Sequence, residues 1–532
     1  MRDLIKAGAA VNAGNSTGQT PLHLAIQFQR ENIINELLKY EDVDLSRMDD
    51  DDLTPLTAAF MSEQYKILAL MLMQLKRSKS ERDQPFDPND LLHFVSSNSP
   101  DLIVLVVELL NAVGWEIRSD TEHGATMLHS AVKNNDSKTL GVLLAKDESM
   151  IAKQANTAGP EGSWQVGDTA LHVAARNNAI ECMAILNAHG CPPNILNSDK
   201  LSALHIAVKH NNLDAVMEIF NASIVHTKVN IQTDDKTTPL HIACLNGFYD
   251  IAEYLLNVER ANVHCQNTDG WTPLHVAAEG NRVEILRLLM ENQGNIDSRA
   301  KNTDTPLHVA IDHNNSEAAD TLIGLGANVN SRGEKNFSPL HKAAKIGNTE
   351  IIKKLIESGA RIDHRAENKN AALHTAATNG QEKAVQVLCE FESSSIDIDK
   401  SGFNGWNAFH QASIGGHVNC MRILLKAGTK LNCEDDFNFD TALHLAARFG
   451  VEESVEFLLD QDHIRVNNLN KENKTALDLC RVKGHDLIER YLLESEARTS
   501  EEVENMKKMG AATASQPKTG GTITGIPSKF AK

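Results

Sequence analysis

Histidine is the residue type in this 532-residue chain whose spacing first suggests chemistry. Twelve of its 22 histidines fall at one recurring position. The motif reads Thr20-Pro21-Leu22-His23, Thr238-Pro239-Leu240-His241, Thr272-Pro273-Leu274-His275, Thr305-Pro306-Leu307-His308 and Ser338-Pro339-Leu340-His341. Looser copies carry His93, His129, His172, His205, His374, His410 and His444, while Thr57 in TPLT and Asp478 in TALD stand where histidine is replaced. Imidazole binds metals and carries protons near neutral pH, so such a row raises zinc binding or acid–base catalysis. The spacing opposes both readings. The fourteen positions are 34, 36, 36, 43, 33, 36, 34, 33, 33, 33, 36, 34 and 34 residues apart. Ligands of one zinc must all lie about 2 Å from it, and side chains one such period apart sit on separate layers of a stack. The eight cysteines (Cys182, Cys191, Cys244, Cys265, Cys389, Cys420, Cys433 and Cys480) are scattered without a CxxC pair, as small reduced thiols of an intracellular protein would be. The sequence contains no Gly-rich phosphate loop, G-x-S-x-G or HExxH. No catalytic residue, metal or cofactor is therefore expected.

The elements that carry the histidines are short. Thr or Ser before Pro is a helix N-cap followed by the residue favoured at the first helical position. Seven residues after the leucine that precedes the histidine comes Asn or Gly: Asn135, Asn178, Asn211, Gly247, Asn281, Asn314, Gly347, Gly380, Gly416, Gly450 and Gly484. These types tolerate the left-handed backbone that closes a helix. Apolar residues at helical spacing follow, as in Ile251, Tyr254 and Leu255 or Ile285, Leu288 and Leu289. A turn such as Gly326–Asn330 then leads to the next Thr-Pro. Each unit reads as helix, loop, helix, hairpin turn. Alone it cannot bury its apolar face, so the units must stack.

With these motifs on the page, the chain resembles ankyrin-repeat proteins over roughly residues 1–495. The resemblance implies an all-α solenoid of about 14 helix-loop-helix units joined by β-hairpin-like turns, in a curved superhelical rod. It also implies that the recurring histidine is structural, holding the turn and the preceding unit by hydrogen bonds. Partners of such arrays usually lie against the turn tips and the exposed side of the first helix.

Composition narrows the remaining choices. The net charge of −19, from 52 basic and 71 acidic residues, argues against a nucleic-acid surface. The longest apolar runs, Ile67–Met73 and Leu102–Val107, are far short of a membrane span, and the first ten residues lack a secretory apolar segment. A cytoplasmic location is expected, with the cytoskeleton as a further site. Residues 1–15 match the end of a second helix and read as a partial first repeat or cap. Residues 16–495 form the array, with units 2 and 3 degenerate and an insertion near 156–167. Residues 496–509 read as an acidic-to-basic helical extension, and 510–532 as a disordered basic tail. Five lysines and no acid from Asn505 to Lys532 leave −24 on the preceding 504 residues.

Binding residues follow from position. The variable pairs before each Asn/Gly stop give Lys133, Arg176, Lys209 with His210, Asp312 with His313, Lys345, and Arg448 with Phe449. Several are basic although the body is acidic, which suits an acidic peptide. Trp271, Phe337 and Trp406 sit immediately before helix caps, and Trp164 lies in the insertion. These four aromatics are further candidates, since Trp is enriched at interaction hot spots. In the tail, Thr524-Gly525-Ile526-Pro527 resembles the Ser/Thr-x-Ile-Pro motif through which microtubule plus-end trackers engage end-binding proteins, with Thr524, Ile526 and Pro527 as its key residues. The function these features predict is a non-enzymatic scaffold or adaptor that binds other proteins. Two alternatives are the cytosolic tether of a larger ankyrin-rich membrane protein and a substrate-recruiting subunit of a ubiquitin-ligase or kinase complex.

Overall fold

A computed structural model describes residues 8–40, 42–77, 91, 95, 102–113, 124–146, 148–156, 158, 164–221, 226–392 and 398–508. His93 and the tail motif Thr524, Ile526 and Pro527 lie outside the described residues, as do residues 1–7 and most of 157–163. Among the described residues the regular structure is helical, with one isolated antiparallel bridge between Glu434 and Thr441. None of these helices is long and apolar enough to cross a membrane.

The unit beginning at Thr305 shows how the sequence builds each layer. Thr305 has extended backbone (φ −99°, ψ 168°), Pro306 opens the first helix, Pro306–Asp312, and Asn314 ends it in the left-handed region at φ 58°. Asn315 leads into the second helix, Ser316–Gly324. Leu307, Val309, Ala310 and Ile311 are buried from the first helix, and Ala318, Ala319 and Leu322 from the second. Helices of seven and nine residues are too short to persist alone in water. Packing of these small and branched apolar residues between layers holds them. The turn tips are closed by short backbone bonds, such as Ala300 N–H to Asp304 O at 2.9 Å and Gly333 N–H to Phe337 O at 2.8 Å.

The chain divides into two compact units. The first contains residues 1–243 and 259–261, and the second residues 244–258 and 262–532. Within each, first helices pack on the first helices of neighbouring layers and second helices on second. Ala170–Asn177 lies against Ala203–Lys209 in the first unit, and Pro273–Glu279 against Pro306–Asp312 in the second.

All eleven Asn and Gly stops have positive φ, from 51° at Asn135 to 85° at Gly247. Gln29 (φ 52°) and Glu63 (φ 55°) occupy the same position in the two earliest layers. Only their side-chain type departs from the pattern, and a left-handed backbone costs such residues roughly 1 kcal/mol. Gln29→Asn and Glu63→Asn should each stabilise the chain by up to about 1 kcal/mol. Asn314→Ala should lose a similar amount. Urea unfolding followed by circular dichroism reads all three, and a loss of stability in the first two would contradict the assignment of strain.

Candidate interaction surface

The histidine row is built from two bonds per ring. In the first described layer, Thr20 N–H donates to His23 Nδ1 at 3.1 Å, and His23 Nε2 lies 3.0 Å from Leu53 O. A ring nitrogen that accepts from an amide carries no proton, so Nε2 is the protonated nitrogen and donates to the carbonyl. The pattern recurs. Nε2 of His172 reaches Leu201 O (3.0 Å), His205 Thr237 O (3.3 Å), His308 Phe337 O (3.0 Å) and His341 Asn370 O (3.0 Å). His129 reaches Asp168 O at 2.8 Å, and His275 reaches Asp304 O at 3.2 Å. His374, His410 and His444 reach Lys400 O (2.8 Å), Cys433 O (3.1 Å) and Asn468 O (3.0 Å). His241 likewise accepts from Thr238 N–H at 3.3 Å.

This corrects one expectation. The bond runs to the following layer and not the preceding one. Nδ1 is occupied by the ring's own N-cap, so the far nitrogen projects toward the turn that enters the next helix. Among the described residues, no group of three or more His, Cys, Asp or Glu is placed to hold a metal ion.

The two replacements keep half of the device. Thr57 Oγ1 accepts from Thr54 N–H at 2.7 Å and donates to Thr54 O at 2.9 Å, so its hydroxyl closes its own turn. Asp478 accepts from Thr475 N–H and from Ser500 N–H, both at 2.9 Å. Burial pushes the Asp478 carboxyl up, but the Thr475 and Ser500 donors outweigh it and hold it below the usual range.

Burial pushes the histidine pKa down, to about 4 at His172, His205, His308, His341, His410 and His444 and about 3 at His374. The folded rings refuse protons that the unfolded chain takes up below its ordinary value of 6.5. Their contribution to stability is therefore complete above that value and is lost as pH falls toward 4. The melting temperature should be level between about pH 8 and 7 and decline between about 6.5 and 5, before most carboxylates titrate. A level melting temperature across the lower window would refute the locked neutral tautomer.

A second set of buried groups lies just before the N-caps. The Asp168 and Asp440 side chains are 0% exposed. Asp168 pairs with Arg176 at 2.9 Å and accepts from Asn197 at 2.8 Å. Asp440 pairs with Arg448 at 2.8 Å and accepts from Asn470 at 2.7 Å. Two arginines expected to face a partner thus turn back toward buried carboxylates. Asp312 is similarly engaged by Lys342, whose ammonium also meets Asp304 at 3.0 Å. Burial lowers the Lys342 pKa, but Asp312 and Asp304 outweigh it and hold the group above the ordinary lysine value. Removing one partner of a buried pair typically costs 3–5 kcal/mol, so Lys342→Ala should destabilise the chain by about 3 kcal/mol or more. Lys342→Met with Asp304→Leu should recover much of that loss, measured by urea unfolding.

The remaining candidates divide by exposure. Lys133, Lys209, His210, His313, Lys345 and Phe449 are exposed at first-helix ends. Burial, then Arg176 and Lys209, pushes the His210 pKa down, which places positive charge around that ring. His313 Nδ1 is tied to Val309 O at 3.1 Å. Trp271 and Phe337 stack over the row itself, on His275 (centroids 6.2 Å apart, 24° between planes) and His341 (5.4 Å, 15°). Trp164 is a correction: it is 1% exposed, with its ring 5.6 Å from that of His129, and presents nothing to a partner. The expectation overlooked Phe403, Phe437 and Phe439, which are exposed near Trp406 and Phe449. The string Phe437-Asn438-Phe439 between acids was the available signal.

Matches to the family described as ankyrin repeats (3 copies) run over residues 1–83, 91–197, 146–228, 171–265, 258–333, 340–435 and 428–502. The chain belongs to the ankyrin-repeat family, whose repeats are protein-interaction modules. Its similar proteins include Rabankyrin-5 of Mus musculus, 25% identical over 284 residues (48% of this chain, 22% of that protein). The NF-kappa-B p105 subunit of Gallus gallus is 27% identical over 206 residues, 38% of this chain and 20% of that protein. The E3 ubiquitin-protein ligase KEG of Arabidopsis thaliana is 26% identical over 285 residues, 46% of this chain and 17% of that protein. The matches thus span only about a fifth of these relatives' length. The human ASB11 ankyrin repeat domain is 27% identical, with a TM-score of 0.38, and covers 43% of this chain and 99% of that domain.

Proposed function

We propose that this chain is a scaffold or adaptor whose first-helix ends and turn tips bind other proteins. In this reading its first unit takes an acidic segment. The observation that carries the proposal is the division of labour among side chains. Histidine, Thr/Ser and Asn/Gly are consumed by the frame, while most positions just before a left-handed stop are exposed and vary in chemistry, Arg176 and Arg448 being among the half-buried exceptions. In the first unit these positions hold Lys133 and Lys209, both exposed, with Arg176 and His210 beside Lys209. Lys133 and Lys209, two layers apart, carry the charge open to an acidic segment, since Arg176 is neutralised by Asp168 and the His210 pKa is pushed down. Long-range attraction of this type steers association and weakens with salt.

The tail motif Thr524-Gly525-Ile526-Pro527 adds a linear attachment point for microtubule end-binding proteins within the same proposal. Its support is the motif and its lysine-bearing, acid-free surroundings. The location that follows is cytoplasmic, with microtubule plus ends as the cytoskeletal site.

Lys133→Glu with Lys209→Glu tests the binding face without touching the Arg176–Asp168 pair. Quantitative affinity capture with the full chain should lose about tenfold of its acid-rich partners, and the same partners should be lost from the parent at high salt. An unchanged set of partners would overturn the cationic face.

A further inference from the structure

Four exposed phenylalanines and one half-buried tryptophan lie on two adjoining layers of the second unit. Phe403, Phe437, Phe439 and Phe449 are 47%, 53%, 45% and 50% exposed. Trp406 links two of them edge-on, with Phe403 at 5.9 Å and 80° and Phe449 at 6.1 Å and 87°. Phe437 closes over the neighbouring turn, where a Cβ added to Gly405 would lie 2.9 Å from its ring. Phe439 is 45% exposed on a left-handed backbone (φ 56°), at the tip position that Gly270, Gly405, Asn473, Lys200, Lys236 and Lys369 occupy elsewhere.

The surface has a sign. The tip Glu434-Asp435-Asp436-Phe437-Asn438-Phe439-Asp440 has no base, and of its four acids Glu434 and Asp436 are exposed while Asp435 and Asp440 are buried. One lysine already rests on it: Lys471 Nζ donates to Phe437 O at 3.2 Å and stands 5.9 Å from the Phe439 ring centre. Aromatic faces among carboxylates attract ammonium groups, and the exposed rings offer area for apolar side chains.

We propose that the basic C-terminal segment of this chain, residues 509–532, docks on this aromatic surface. Its composition is complementary: Lys518, Lys529 and Lys532 without an acid, beside Ile523, Ile526, Pro527 and Phe530. The preceding helix, Ser500–Lys508, is tied to the last repeat by Ser500 N–H to Asp478. The Phe437 tip belongs to the layer before that repeat and the Phe403 tip to the layer before that, each about 10 Å further. Twenty-four residues span about 80 Å at full extension and about 27 Å as a relaxed coil, so the segment reaches both tips. Tethering keeps it at a millimolar effective concentration, enough for a weak contact to stay largely formed. Docking covers Thr524-Gly525-Ile526-Pro527, so a partner with more affinity for the tips would release that motif. The inference rests on the tips being a binding face, but it does not involve Lys133 or Lys209.

The test uses the full-length chain with the photo-cross-linker p-benzoylphenylalanine in place of Phe530. Irradiation should give a monomeric product that joins position 530 to residues 403–449. Its yield should fall about fivefold or more in Phe437→Ser with Phe439→Gly, and likewise in Lys518→Glu with Lys529→Glu and Lys532→Glu. Phe439→Gly relieves left-handed strain, and the tail reversal leaves the repeats untouched, so neither loss reduces to unfolding. Cross-links elsewhere, insensitivity to both sets of substitutions, or no intramolecular product would overturn the proposal. So would a dimeric product that grows with concentration, which would assign the surface to a second copy's tail.

Discussion

A single imidazole geometry underlies the stack. Among the described residues, nine rings accept the amide of their own N-cap and donate to a carbonyl at the entrance of the next layer. One side chain thus starts a helix and sets the height of its neighbour. A hydrogen bond of this type contributes about 0.5–1.5 kcal/mol net, but a buried carbonyl left unpaired costs more. The rings must stay neutral for both bonds to exist, and their burial enforces that. The metal and acid–base chemistry that histidine brings elsewhere is therefore closed to this row.

With the frame occupied, binding capacity falls to positions the frame does not use. Some of those are recruited inward. Arg176 and Arg448 neutralise carboxylates that sit immediately before N-caps, and Lys342 bridges Asp304 and Asp312 across a layer. Such buried pairs add little net stability over apolar packing, but they penalise any misalignment that would leave a charge unmatched. What stays outside includes exposed lysines at first-helix ends, Lys133 and Lys209 in one compact unit and Lys345 in the other, and exposed phenylalanines at turn tips in the second.

Much of the fold was legible because its signals are local and repeated. The Thr-Pro cap, the leucine beside histidine and the Asn/Gly stop each have a short-range cause, and all eleven stops lie in the left-handed region. The direction of the histidine bond was not legible, because sequence spacing is the same whichever neighbour the ring reaches. Trp164 misled for a related reason: a tryptophan in a polar insertion reads as exposed until the layer that covers it is known. The fates of Arg176 and Arg448 were hidden too, since their carboxylate partners lie eight residues away across a turn. Phe403, Phe437 and Phe439 went unnoticed because a search at cap positions passes over the tips themselves.

The histidine row also has a polarity. Every crossing bond described in the row is given by an earlier layer to a later one, so each layer with a described histidine bond of this type carries a donor forward. At position 478 an aspartate takes the place of the donor. A carboxylate only accepts, and its free acceptor meets the Ser500 amide of the closing helix, Ser500–Lys508. Asp478 thereby reverses the sense of the contact, receiving a hydrogen bond from the element that follows where the histidines give one.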